Sequence, residues 1–264
     1  MSGAQDAPVH AEVHLLPAEA LFAPPIADTR SGLSRLILRR VEESLRIDAG
    51  IAADLPFIEW GWKELHLQTG LDAAVFMDFD AGGAATFDLQ TFDGLFSIPV
   101  EVAGGRWSGR LALTHLSAHY GDGVRKDGEV PTNRDAFSRE YVQGQGASVI
   151  GPVRAYIGGV AIFHSAAPTP PWGIQAGAEA TGPWTLAPYG ALDLQARAEN
   201  GWEPAFAAQA GVRAHVSRRR LRLGLVVHTG PDDTGKYAEN PERYIGGVIG
   251  FDSTGALAPG PAGR

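Results

Sequence analysis

Apolar and polar residues alternate with a period of two through long stretches of this chain. In residues 64–80, ELHLQTGLDAAVFMDFD, the odd positions from Leu65 to Phe79 are almost all apolar, while the even positions include Gln68, Asp72 and Asp78. This period is typical of a β-strand with two different faces, and helical spacing does not fit it. The stretch also far exceeds the roughly 5–6 residues of a common soluble strand. The pattern therefore predicts sheets built from long strands.

Two architectures contain strands of this kind. A soluble sandwich buries the apolar face, whereas a membrane barrel turns that face to lipid around a polar lumen. A tilted membrane-spanning strand needs about 9–11 residues, so strand length favours the barrel. We predict an all-β chain that forms a single antiparallel transmembrane β-barrel of about twelve strands. The predicted strands lie near residues 33–43, 44–57, 64–80, 88–103, 106–120, 136–149, 152–165, 172–182, 187–199, 203–217, 219–230 and 242–251.

The barrel hypothesis fixes which side chains point outward. The residues predicted to face lipid are Leu67, Leu71, Val75, Leu194, Ala210 and Val212, and those predicted to face the lumen are Gln68, Asp72, Gln195 and Arg213. Unpaired charges in a confined interior are costly. The lumen arginines Arg197, Arg213, Arg220 and Arg222 are therefore expected to pair with acids such as Asp72, Asp193 and Glu199.

The predicted domain organisation is a flexible segment at residues 1–25, the barrel at 26–251 and a disordered tail at 252–264. An even number of strands puts both ends of the barrel chain on one side. Short turns at 103–105, 151–152 and 217–218 contrast with longer connections at 121–135 and 230–242. In outer-membrane barrels the short turns are periplasmic. The stretch AQDAP near the start looks like a mature N-terminus, exposed after removal of a signal peptide.

The composition limits the partners of the chain. Its formal net charge is −8, and no basic stripe offsets the acidic excess, which argues against nucleic acid. It has no cysteine, which suits a protein that passes through an oxidising periplasm. The expected partners are outer-membrane lipids, and the oligomeric state is not predicted.

Six segments resemble an uncharacterised family of outer-membrane barrels, domain of unknown function 1207. They are LFAPPIADTR, GLDAAVFMDFD, FDLQTFDGLFSIPV, THLSAHYGD, PWGIQAGAEATGPW and YIGGVIGFD, and they extend from about Leu21 to Phe251. The resemblance implies a location in the Gram-negative outer membrane and no established activity. In one respect the chain departs from the usual pattern, because thirteen residues follow Phe251, the aromatic residue expected to end the last strand.

The segment THLSAHYGD contains the candidate catalytic residues. On a strand, His115 and Ser117 share a face with Trp107, and a histidine beside a serine can accept its proton. His115 and His119 would lie about 13 Å apart, too far to bind one metal ion. The His-x-Ser pair is similar to that of outer-membrane phospholipase A and lipid A deacylase, which cleave lipid esters and orient the histidine with Asn or Glu. Glu140 is the first choice for that role, followed by Asn133 and Glu129.

Three functions remain open from the sequence. The first is a non-enzymatic barrel, structural or a narrow conduit, in which THLSAHYGD is an interfacial strand end. The second is a membrane-lipid esterase that uses His115, Ser117 and Glu140. The third is a soluble periplasmic β-sandwich that carries lipid. No resident cofactor is expected, although Asp232 and Asp233 in a loop could hold calcium.

Overall fold

A computed structural model describes residues 11–82, 87–124, 137–216, 219–232, 235–237 and 240–252. It contains thirteen β-strands: β1 (Glu12–Leu15), β2 (Ser34–Val41), β3 (Ser44–Trp62), β4 (Leu65–Asp80), β5 (Asp88–Gly104), β6 (Trp107–Tyr120), β7 (Phe137–Ile150), β8 (Val153–Ser165), β9 (Trp172–Thr181), β10 (Leu186–Arg197), β11 (Pro204–Val216), β12 (Arg219–Pro231) and β13 (Pro241–Asp252). Two short 3₁₀ turns cover Ala198–Asn200 and Gly235–Tyr237. In these described parts, no helix has the length and apolar character needed to cross a membrane.

Strands β2 to β13 close into an antiparallel barrel of twelve strands. Each strand pairs with its neighbour in the sequence, and β13 pairs back onto β2, with Tyr244 opposite Val41 and Phe251 opposite Ser34. Closure leaves these strands without free edges, as a barrel in lipid requires. The predicted fold class and strand number are confirmed. The alternative of a soluble β-sandwich is wrong, because the sheet closes on itself and its apolar face points outward.

The two faces of the barrel follow the predicted parity. Leu67, Leu194, Ala210 and Val212 are exposed on the outer surface, and Leu71 and Val75 are half-buried on the same face. On the inner face Gln68 is only 2% exposed, and Asp72, Gln195 and Arg213 form contacts inside the lumen. The long two-residue period thus arises from a polar interior and an apolar exterior.

The two ends of the barrel differ in their connections. At one end, called here the turn end, two-residue links join β3 to β4, β5 to β6 and β7 to β8. Gly105 and Gly151 adopt positive φ values of 55° and 58° in these tight links, a conformation that favours glycine. At the opposite end, the loop end, residues 121–136 and 232–240 form longer connections. The assignment of the turn end to the periplasm stays a prediction.

The N-terminal segment enters the lumen. Strand β1 pairs with the turn-end part of β3, from Glu12 opposite Gly61 to Leu15 opposite Ile58, on the same edge that β2 occupies further along. Residues 16–33, called here the plug, connect β1 to β2 through the interior. The Glu101 carboxylate accepts hydrogen bonds from the backbone N–H groups of Leu21 and Phe22, and the Gln209 amide donates to the Ile26 carbonyl.

These contacts differ from the expectation of a flexible segment at residues 1–25. Within its described part, β1 is held in the sheet and Ala20, Leu21 and Phe22 are buried in the lumen. The physical reason is that polar lumen side chains satisfy the plug backbone, which a composition rich in Ala and Pro did not reveal. The boundary at residue 25 is thus not a structural one, since the plug continues to residue 33. Residues 253–264 lie outside the described part.

The lumen contains a dense set of ion pairs. Arg39 donates to Asp78 at 2.9 Å and to Glu242 at 2.7 Å, and Arg154 binds Glu179 at 2.8 Å. Such matching of opposite charges is what a filled, confined interior needs. Further pairs join Arg35 to Asp48, Arg46 to Asp78, Arg110 to Asp72 and Glu101, and Arg139 to Glu199.

The predicted partners of the lumen arginines are correct only in part. Arg197 reaches Glu199 at 3.6 Å, as expected. Arg213 and Arg222 instead share Asp252, at 2.7 and 2.6 Å, and Arg220 lies buried near the same carboxylate. Asp72 pairs with Arg110, and Asp193 accepts hydrogen bonds from Tyr156, Gln175 and Gln195. Register across strands, which the sequence does not specify, decides these partners.

A cavity of about 150 Å³, lined by both charged and apolar side chains, remains between the plug and the loop end. Its lining includes Asp28 and Arg30 of the plug, Asp193 of β10 and Gly235 of the loop after β12. The Gly235 N–H donates to the Asp93 carboxylate of β5 at 2.9 Å, and Arg30 lies 3.8 Å from the same carboxylate. The loop after β12 therefore lies over the loop end of the barrel. Through Gly235 it contacts the Asp93 carboxylate, the same group that Arg30 of the plug approaches.

Candidate functional site

The register of three strands brings the predicted site residues together on the outer face. Strand β6 places His115 directly opposite Glu140 of β7 and Ser117 directly opposite Ser138. On the other side of β6, Gly94 of β5 lies opposite Ser117. Residues opposite each other on one face of an antiparallel sheet have Cβ atoms about 4.5–5.5 Å apart. The three predicted catalytic side chains therefore occupy one patch near the loop end.

A hydrogen bond orients His115. Its Nδ1 lies 2.7 Å from Oε1 of Glu140, so the Nδ1–H donates to the carboxylate when the ring is in that tautomer. The His115 side chain is 45% exposed, which places the ring on the barrel surface and leaves Nε2 directed away from the pair. A carboxylate on Nδ1 fixes the imidazole orientation and stabilises its protonated form. This is the role for which the sequence suggested Glu140.

Ser117 stands two residues beyond His115 on the same face and is half-buried. Among the described residues, no hydrogen bond joins its hydroxyl to His115. Catalytic hydrogen bonds are often longer in unliganded enzymes and tighten when substrate binds. Gly94 leaves one side of the serine open, since a Cβ built there would stand 3.6 Å from the Ser117 hydroxyl. The nucleophile candidate is thus accessible from the outer surface.

The surroundings of this patch are apolar. Phe96 lies opposite His115 on β5 and is 56% exposed. Leu113 precedes His115 on the same face of β6, and Phe163 of β8 is also exposed. Apolar side chains on the outside of a barrel contact acyl chains when the barrel is in a membrane. The three predicted catalytic side chains therefore stand in an otherwise apolar part of the outer surface.

A second histidine, which the sequence analysis did not select, completes the cluster. Nδ1 of His164 contacts Oε2 of Glu140, so that each oxygen of this carboxylate meets a different imidazole. A register shift in β8 places Glu140 opposite His164 but Tyr141 opposite Ile162, which leaves Phe163 as an extra residue. We call His115, Glu140 and His164 the His–Glu–His cluster. Strict alternation would have turned His164 inward, and the loss of alternation at FHS was the signal available in the sequence.

The other candidates from the sequence lie elsewhere. Asn133 and Glu129 fall outside the described residues. Asp232 is buried at the mouth of the barrel, where its backbone N–H donates to the Asn240 carbonyl, while Asp233 lies outside the described part. The calcium hypothesis for this pair stays a prediction. His119, which the sequence analysis kept out of any metal site, lies exposed at the end of β6.

Comparisons with solved structures find outer-membrane barrels. The transport unit of the autotransporter AIDA-I from Escherichia coli is 11% identical, with 90% of this chain and 95% of that chain covered and a TM-score of 0.41. OmpT of Vibrio cholerae, an outer-membrane protein in its trimer form, is 10% identical, with coverage of 92% and 99% and a TM-score of 0.41. A Rhodopseudomonas blastica porin variant is 8% identical, with coverage of 92% and 100% and a TM-score of 0.33.

No curated protein matches the chain. The family model described as protein of unknown function (DUF1207) matches residues 3–252. That range includes all thirteen strands, the plug and the His–Glu–His cluster. The chain, a twelve-stranded β-barrel, therefore belongs to the DUF1207 family.

Proposed function

We propose that this protein is a membrane-lipid esterase of the Gram-negative outer membrane, with its active site on the lipid-facing side of the barrel. The observation that carries the proposal is the 2.7 Å hydrogen bond between His115 Nδ1 and Glu140, beside Ser117 on the same outward face. A lumen site would be closed to lipids, whereas an outward site near the loop end meets them in the plane of the membrane. The apolar exterior of the barrel supports the membrane location.

Each residue has a defined task in the proposed reaction. His115 Nε2 removes the proton of Ser117 while the serine oxygen attacks the ester carbonyl carbon of the lipid. The ester C–O bond then breaks, the departing alcohol takes the proton from His115, and the acyl group remains on Ser117. Water, deprotonated by His115, attacks the carbonyl carbon of this acyl-enzyme, the bond to the Ser117 oxygen breaks as His115 returns the proton to that oxygen, and the fatty acid is released. Glu140 stays ionised and stabilises the imidazolium that forms in both steps.

Fatty-acid release from mixed micelles tests the proposal. The full chain, refolded in detergent, is offered a phospholipid in one arm and lipid A in the other, each with and without calcium. Hydrolysis is expected in at least one arm and should be abolished by Ser117→Ala. Ser138→Ala is the matched control, since it removes a neighbouring hydroxyl from the same face and should retain activity. Absence of fatty-acid release in every arm contradicts the proposal.

A gated conduit is the second candidate, and the plug is the observation that favours it. Side-chain contacts rather than sheet pairing hold residues 16–33 in the lumen, and a cavity of about 150 Å³ lies between the plug and the loop end. In a planar bilayer the full chain is expected to give no current steps. Asp28→Leu removes contacts of the plug with Gln175 and Gln195 and should produce steps. Equal conductance of the two proteins contradicts gating by the plug.

A further inference from the structure

The bulge in β8 places His164 on the outer face of the barrel, where a regular strand would not place it. Val160 and Ile162 both line the lumen cavity, so a regular strand would turn residue 164 inward as well. Because Phe163 is an extra residue in the strand, the side chain at position 164 points outward instead of inward. His164 therefore lies on the outer surface, with 69% of its side chain exposed. β-Bulges often occur beside active sites, where they redirect a side chain. Here the redirected side chain meets Glu140.

The position of His164 on Glu140 is complementary to that of His115. The two Nδ1 atoms approach different oxygens of one carboxylate, so the carboxylate is held from both sides. Glu140 comes from β7, which lies between the strands of the two histidines. Held only by His115, a glutamate side chain could rotate away on an exposed surface. With His164 in place, the oxygen that faces His115 has a fixed direction.

We propose that His164 is a positioning residue of the Ser117 site and that it makes the basicity of His115 depend on pH. The inference rests on the proposed esterase function for its catalytic meaning. Neutral His164 donates its Nδ1–H to Glu140 and holds the carboxylate in line with His115. Protonated His164 adds a positive charge near His115, which disfavours protonation of that ring.

Within the part of the chain that the structure describes, few charged or titratable groups face this position. Strand β6 contributes His115 and, toward the loop end, His119, and β7 contributes Glu140. Strand β9, the other neighbour of β8, presents apolar Trp172 and Ile174 on its outward face.

Two variants separate the hydrogen bond from the charge. His164→Asn keeps an amide N–H that can replace Nδ1–H but cannot be protonated, whereas His164→Ala loses both. The rate of Ser117 modification by a fluorophosphonate is measured from pH 5 to 9 in refolded full chain. His164→Ala should lower the plateau rate by about tenfold, the effect of losing one charged hydrogen bond. His164→Asn should restore the plateau.

Both variants should move the acidic limb of the profile to higher pH, because His115 then protonates without a neighbouring cation. Unchanged plateau and limb in both variants, with Ser117 still modified, would overturn the role of His164 while leaving the esterase intact. A second readout does not depend on reactivity: the NMR titration of the His115 ring should shift upward in His164→Asn. An unshifted His115 titration overturns the inference even where Ser117 proves unreactive, and unreactive Ser117 alone counts against the esterase.

Discussion

Polar side chains inside this barrel and polar side chains outside it have different physical origins. In the lumen, charged residues are numerous and each of the pairs described joins opposite signs, as Arg39 does with Asp78 and Glu242. On the outer face Leu, Val, Ile, Phe and Trp dominate, and the His–Glu–His cluster is built into that apolar surface.

This difference between the lumen and the outer face indicates which polar side chains are candidates for a functional site. A filled lumen requires matched charges merely to be stable, so an ion pair there needs no functional explanation. A polar cluster on a lipid-facing surface is costly without a compensating reason. The cluster also requires register across β6, β7 and β8 and a bulge in β8. We therefore interpret the lumen network as structural, and the outer cluster is the active site that we propose.

Removal of one lumen charge should have the largest effect on stability. Arg39→Met removes the buried cation that Asp78 and Glu242 share, with Arg46 still paired to Asp78, and should lower the free energy of unfolding by about 3–5 kcal/mol. The adjacent Arg40 is exposed on the outer face, so Arg40→Met is the matched control and should change little. Urea unfolding in a detergent or lipid environment measures both. Equal losses would remove the distinction between the two faces.

A charge inserted into the outer face should have the next largest effect. Leu225 is 64% exposed at the middle of β12, and Leu225→Arg should cost about 2–4 kcal/mol in a bilayer, because the midplane disfavours arginine. Val216→Arg makes the same change at the end of β11 and should cost about 0–1 kcal/mol. Refolding titrations in lipid vesicles compare them. Similar costs would mean that the apolar face does not contact hydrocarbon.

The plug should depend on Asp28 to a smaller degree. Its carboxylate accepts hydrogen bonds from the Gln175 and Gln195 side chains, which also donate to Asp193. Asp28→Leu removes one of the two acceptors of these amides, leaving Asp193 as the other, and should cost about 1–3 kcal/mol, while Asp28→Asn keeps both acceptors and should cost less. Hydrogen exchange of residues 20–33 reports the change. Equal protection in both variants would contradict this anchoring.

The smallest effect should come from Glu199, in the 3₁₀ turn after β10. Burial alone would raise the pKa of Glu199, but the Arg139 hydrogen bond and the charges of Arg139 and Arg197 outweigh it and hold that pKa below its usual value. A lowered pKa stabilises the fold above the pKa of the unfolded chain, and the contribution is lost as pH falls through the folded value. The stability difference between wild type and Glu199→Gln should therefore shrink in acid. A pH-independent difference would contradict this.

Much of the fold could be predicted because the period of two is long and closure in lipid is compulsory. Parity alone assigned Leu67 outward and Gln68 inward, and it put His115 and Ser117 on the lipid side. Glu140 followed as a candidate partner of His115 because the next strand had to lie beside β6.

The plug, the partners of several lumen arginines and the position of His164 could not be predicted, because the alternation of apolar and polar residues does not encode them. The plug is held by individual hydrogen bonds between its backbone and side chains distant in sequence, such as Glu101. The sharing of Asp252 by Arg213 and Arg222 is set by register at the ends of β11 to β13. His164 reaches the outer face only through a bulge, and a bulge breaks the very pattern from which the strands were predicted.

Covalent labelling of Ser117 tests the central claim most directly. Refolded full chain is treated with a fluorophosphonate, and the modified serine is located by mass spectrometry. We predict an adduct on Ser117 that is absent from Ser117→Ala, absent after denaturation and formed on the order of 10²-fold more slowly in Glu140→Gln, which weakens the orientation of His115. An unmodified Ser117 in folded protein, or labelling that is independent of Glu140, would contradict the assignment of the outer cluster as an active site.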